Sequence, residues 1–160
     1  MTASTEPRKV TIEQDYPATA ERVWELWTTA AGIEGWWAPD GFEVRVDTLD
    51  LRPGGTLTYT MTATGPDQVA FMEGAGLPLS TTSTKTFTAV DPKHHLAYTT
   101  LADFIPGVTP YEFLTEVDLT PTADGVHVTM TVDAMHDDEW TERLTAGRRN
   151  EMENLGKLIG

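Results

Sequence analysis

The stretch from His136 to Gly160 most constrains what this chain can fold into. At 3.6 residues per turn, Trp140, Leu144, Met152, Leu155, Leu158 and Ile159 share one helical face. Arg143, Ala146, Arg149, Asn150, Glu153, Asn154 and Lys157 fall on the other. A long helix with one apolar stripe needs another layer to cover it. Asp137 or Asp138 is placed to cap its start, where acids suit the positive end of the dipole. Gly147, Arg148 and Glu151 interrupt the stripe. A glycine inside a helix costs about 1 kcal/mol relative to alanine, so Gly147 is expected at a close approach to another element. Arg148 and Glu151 stand three apart and are able to pair. A charged pair on a core-facing stripe predicts that the stripe looks partly into a polar cavity.

The cover comes from upstream. Val10, Ile12 and Gln14 alternate with polar residues, as a first strand does. Thr19 is placed to cap a helix over about 20–30, whose apolar face is Ala20, Val23, Trp24, Leu26, Trp27 and Ala30. A short second helix holds Ile33, Trp36 and Trp37. From Phe42 onward, alternating stretches follow one another: Phe42–Val46, Leu57–Ala63, Lys85–Val90, Leu96–Ala102, Tyr111–Leu119 and Val126–Val132. Arg52-Pro53-Gly54-Gly55, Asp91-Pro92 and Thr122-Ala123-Asp124-Gly125 are the turns between them. Residues 64–83 read as neither helix nor strand, and a loop that long in a compact domain points to function or motion. Strands joined by short turns give an antiparallel meander with one apolar face. The expected fold class is α+β: a curved antiparallel sheet of about six or seven strands wrapped around the C-terminal helix, with two short helices after strand 1. Residues 1–7 are expected to be a flexible N-terminus, and 8–160 a single domain.

Length and charge bound the function. A chain of 160 residues buries roughly 68–70% of its unfolded surface, enough for a core without staples. It has no cysteine, hence no disulfide framework and no thiolate chemistry. The net charge is −14, with the basic residues scattered. Nucleic acid is not an expected partner, because binding phosphate needs a concentrated basic face. Insertion into a membrane is not expected either, since no apolar run approaches the ~18 residues of a spanning helix. The first residues carry no apolar h-region, so no signal peptide is expected and the location read from the sequence is cytoplasmic. A homodimer is compatible with the sequence.

Order and spacing of short motifs carry a resemblance. Ala20-Glu21-Arg22-Val23-Trp24, Gly35-Trp36-Trp37, Gly41-Phe42, Arg52-Pro53-Gly54-Gly55, Val90-Asp91-Pro92 and His136-Asp137-Asp138-Glu139-Trp140 leading to Gly147 and Leu155 occur in sequence. Together they resemble the AHSA1-like branch, named after the activator of Hsp90 ATPase, of the START/Bet v 1-like (SRPBCC) helix-grip superfamily. The resemblance spans about residues 8–160. It implies a sheet gripping the last helix around a cavity, and binding of a small hydrophobic or amphipathic molecule there. Some relatives are enzymes such as polyketide cyclases. Contact with Hsp90 is not expected, since in the co-chaperone a separate N-terminal domain makes much of it. Where family members often carry Trp after the glycine of the last helix, this chain has Arg148, so a purely apolar cavity is not expected.

No catalytic residue, metal or cofactor is assigned. None of the serines sits in a Gly-x-Ser-x-Gly elbow. His94 and His95 are adjacent on a strand start and point opposite ways. The better signal is the set Trp37, Tyr59, Met61, Phe71, Tyr98, Phe104, Tyr111, Phe113, Trp140, Leu144, Arg148, Glu151 and Met152. Taken singly, each aromatic reads as ordinary core. With Arg148 and Glu151 on the gripped face, the set reads as the lining of a ligand cavity, lidded by residues 64–83 and 103–110. The alternatives are a cofactor-free cyclase, isomerase or hydrolase using the same polar groups, and a chaperone-associated interaction module.

Overall fold

The computed structural model describes residues 9–38, 40–102 and 107–159. In chain order they form β1 (Lys9–Tyr16), α1 (Ala20–Thr28), α2 (Ala30–Trp36), β2 (Phe42–Leu49), β3 (Thr56–Ala63) and α3 (Pro66–Gly74). β4 (Ser80–Asp91), β5 (His95–Ala102), β6 (Tyr111–Thr122), β7 (Gly125–Asp133) and α4 (Asp138–Ile159) follow. All seven strands lie in one antiparallel sheet, ordered β1-β7-β6-β5-β4-β3-β2. The chain leaves β1 through α1 and α2, starts again at the far edge with β2, and meanders back until β7 lies beside β1. The expected α+β class and the long terminal helix are both present.

Capping fixes the first two helices. The Thr19 hydroxyl accepts the Arg22 N–H at 3.1 Å. Thr29 serves both helices: its N–H donates to the Glu25 carbonyl at the end of α1, and its hydroxyl accepts the Gly32 N–H at the start of α2. The Trp36 indole donates to the Leu26 carbonyl at 2.7 Å, locking the helices together. At the outer edge of the sheet, the Val46 N–H of β2 donates to the Glu34 carboxylate of α2 at 2.9 Å.

α4 begins as expected, with the Asp137 carboxylate accepting the Trp140 N–H at 2.8 Å. Its buried residues are Thr141, Arg148, Met152 and Leu155. The Tyr16 hydroxyl donates to the Met152 carbonyl at 2.7 Å and ties α4 to β1. Two expectations about this helix need correction. Leu158 is 41% exposed rather than core, and its side chain lies against α2 beside Gly35. Among the described residues Gly147 makes no close approach: a Cβ built there has no atom of another element within 4 Å.

Residues 64–83 also differ from expectation. Pro66 at the first turn nucleates α3, which buries none of its residues and so leaves no periodic signal. β4 begins at Ser80 rather than Lys85. Its early residues carry hydroxyls that bond across to β3, Ser80 to Thr62 at 2.8 Å and Thr82 to Thr60 at 3.2 Å. Hydroxyl pairing of this kind builds a strand with no apolar alternation to reveal it. No helix among the described residues is long and apolar enough to cross a membrane.

Candidate functional site

Strand parity brings the site residues to the inner face of the sheet. Tyr59 on β3, Lys85 and Phe87 on β4, Tyr98 and Thr100 on β5, and Phe113 and Thr115 on β6 are all buried. The ladder sets Lys85 opposite Thr100 and Phe87 opposite Tyr98, with Thr115 on the far side of Tyr98. α4 lays Arg148 and Glu151 over this patch, and Trp37 reaches it from the end of α2. Trp37 stands 6.1 Å from the Tyr59 ring and 6.0 Å from the Tyr98 ring.

The centre is polar and almost dry. Arg148 is 5% exposed and Lys85 is 4% exposed. Arg148 Nη1 donates to the Tyr98 hydroxyl at 2.9 Å, and Glu151 Oε2 lies 3.9 Å from the same nitrogen. Among the described residues that carboxylate oxygen has no hydrogen-bond partner, and neither has the buried Thr115 hydroxyl. Lys85 Nζ donates to the Thr100 hydroxyl at 2.9 Å and faces three rings, Tyr98 at 5.4 Å, Tyr59 at 5.7 Å and Trp37 at 5.8 Å.

Burial sets the protonation of the group. It pushes the Lys85 ammonium down to about 7, helped by the positive charge of Arg148 and opposed by Glu151. It pushes the Glu151 carboxyl up, against the pull of Arg148 and Lys85. It raises Tyr98, and raises Tyr59 to about 12. Burial works against the Arg148 cation too, but Tyr98 and Glu151 hold it above its ordinary value. A guanidinium, an amine near its titration point and a poorly satisfied carboxyl thus share one low-dielectric space. Such a set donates to carbonyl, phenol or carboxylate oxygen, and each interaction is stronger there than in water.

The structure brings Trp37, Tyr59, Tyr98, Phe113, Arg148, Glu151 and Met152 into this buried region. Met61, Tyr111, Trp140 and Leu144 are partly buried and pack on the core. Beside β6, the Tyr111 hydroxyl meets His136 Nδ1 at 2.9 Å. Phe71 is not brought in: it is 69% exposed on α3. Phe104, with residues 103–106, lies outside the described residues. Sequence reading missed Lys85, Thr100 and Thr115. The signal was present for Lys85, which shares strand parity with Phe87. Open clefts of about 420 Å³ at Asp15, Tyr16 and Asp124, and about 340 Å³ at Glu34, Phe42 and Asn154, lie elsewhere on the surface. No residue of the polar cluster lines them; the cluster is the candidate on its chemistry, a buried guanidinium, amine and carboxyl side by side. Among the described residues no three His, Cys, Asp or Glu side chains gather as a metal site.

The chain matches the family described as "Activator of Hsp90 ATPase homolog 1-like protein" over residues 17–160. It belongs to that family. Solved AHSA1-like and related folds agree in architecture. A protein from Chromobacterium violaceum is 19% identical with a TM-score of 0.77, covering 94% of this chain and 96% of its own. A protein from Mycobacterium smegmatis is 22% identical with a TM-score of 0.72, covering 95% and 90%. The AHSA1-like protein from Aeromonas hydrophila is 22% identical with a TM-score of 0.73, covering 94% and 90%. Identities this low carry the fold alone. No curated protein matches the chain.

Proposed function

We infer that this AHSA1-like chain binds a small amphipathic molecule between its sheet and α4. Arg148 takes the polar end, and Trp37, Tyr59 and Tyr98 take the apolar end. The observation that carries the reading is Arg148 itself, 5% exposed on the gripped face and bonded to the Tyr98 hydroxyl. Burying a cation is costly unless it is paired, and a core built only for stability gains little from it. Among the described residues the cluster also offers unused hydrogen-bonding capacity, at Glu151 Oε2 and the Thr115 hydroxyl. Arg148 holds its positive charge in this buried space, which favours an acidic or carbonyl-bearing guest.

The test is thermal unfolding with a panel of aromatic acids, phenols and neutral aromatics. Acids raise Tm most, since a ligand at 100 times its Kd adds about 2.7 kcal/mol to the native state. An Arg148→Met variant loses the preference for acids while keeping any shift from neutral aromatics. No shift across the panel, or an acid preference unchanged in the variant, overturns the reading.

A further inference from the structure

We propose that Lys85 is a carbonyl-reactive amine, and that the guest class of this site is a small 2-oxo acid with an apolar tail, held as an imine on Lys85 Nζ. This rests on the binding reading above and names the chemistry of the same site.

Three observations support it. Lys85 has a single hydrogen-bond acceptor among the described residues, the Thr100 hydroxyl, where an ammonium has three donors to place. A neutral amine needs fewer acceptors and keeps its lone pair. Burial and the charge of Arg148 bring the group down to about 7, so near neutral pH a large share is free base. The amine also stands among the Trp37, Tyr59 and Tyr98 rings, the walls an apolar tail needs.

The neighbours fit the remaining parts of such a molecule. Arg148 lies against the same Tyr98 ring, 5.9 Å from its centroid, and its planar donors suit a carboxylate. Glu151, whose proton affinity burial raises, is the acid that the addition requires. In the step, the Lys85 lone pair attacks the carbonyl carbon and Glu151 gives its proton to the carbonyl oxygen. Nitrogen passes one proton to the new hydroxyl, which leaves as water, and a C=N bond replaces C=O. Glu151 recovers a proton from nitrogen, so no electron is gained or lost.

The chain makes the test clean, because its lysines are only Lys9, Lys85, Lys93 and Lys157, and the other three are exposed. The probe is phenylpyruvate with sodium cyanoborohydride, read by intact mass and peptide mapping of the wild-type protein. With label on the reactive α-amine mapped separately, the expected product among the lysines is a single adduct, the probe less one oxygen atom, at Lys85. Its labelling at pH 7 exceeds that of any other lysine by at least about tenfold, as the difference in free-base fraction requires. Lys85→Met abolishes the adduct. 3-Phenylpropanoate, which lacks the carbonyl, separates the two readings through its effect on Tm. A thermal shift without labelling at Lys85, or label spread over the exposed lysines, overturns the amine proposal and leaves binding intact. Neither a shift nor a label overturns both.

Discussion

The Arg148 guanidinium and the Tyr98 hydroxyl meet at 2.9 Å, joining α4 to β5 through the middle of the buried layer. The two residues lie 50 positions apart in the chain. With the Tyr16 bond to the Met152 carbonyl, this hydrogen bond ties the terminal helix to the sheet at two places.

Tyr98→Phe removes the acceptor and keeps the ring. A hydrogen bond to a charged group contributes about 1.5–3 kcal/mol, and here the orphaned guanidinium stays buried. The variant loses stability in that range by urea unfolding, with the m value unchanged. A loss under half a kcal/mol would mean that Arg148 finds water instead.

Arg148→Ala leaves Glu151 buried with less compensation and costs about 3–5 kcal/mol. Replacing both residues by apolar ones, Arg148→Met with Glu151→Leu, recovers most of that loss. A double-mutant cycle measures the coupling. Additive losses would show that the two side chains, 3.9 Å apart, act independently.

Lys85 gives the folded protein a signature in pH. Its amine sits at about 7 in the folded chain against an ordinary value of 10.5. Between those values the unfolded chain holds a proton that the folded chain has released. Unfolding takes that proton up, so stability from this group rises with pH from about 7 toward 10. The slope for one proton is at most about 1.4 kcal/mol per pH unit. Chemical denaturation from pH 7 to 9 measures it, and Lys85→Met flattens it. Parallel profiles for the two proteins would refute the assignment.

Thr29→Ala strikes two helices at once. Its hydroxyl caps α2 through the Gly32 N–H, and also donates to the Glu25 carbonyl at 2.9 Å. Loss of an N-cap costs about 1–2 kcal/mol. Thr29→Ser retains the hydroxyl and most of the stability, so the pair of variants separates capping from packing.

Much of the architecture was legible in the chain. Period-2 alternation placed Tyr59, Tyr98 and Phe113 on the inner face because each follows apolar neighbours in phase. Thr19 and Asp137 announced their helices through capping chemistry. Lys85 went unremarked, although its parity with Phe87 points it inward, since a lysine at a strand start is ordinarily solvated. The segment from Ser80 to Thr84 was opaque for another reason: its cohesion lies in hydroxyls that pair with β3, and a pattern of apolar residues cannot register that. α3 was opaque because it buries nothing, and Phe71 on it was drawn into the candidate site by its type alone. The polar cluster was half visible. Arg148 and Glu151 broke the stripe of α4 conspicuously, while their partners came from strands 50 or more positions away.

The hydrogen bond from Val46 to Glu34 matters for crowded solutions of this protein. An outer strand with free amides is a template on which further copies can stack. Here a carboxylate from a neighbouring helix occupies one of those amides, and the register shift between Val46 and Thr48 kinks the strand beside it. A single acidic side chain, outside the buried polar cluster, thus blunts that margin against the stacking of further copies.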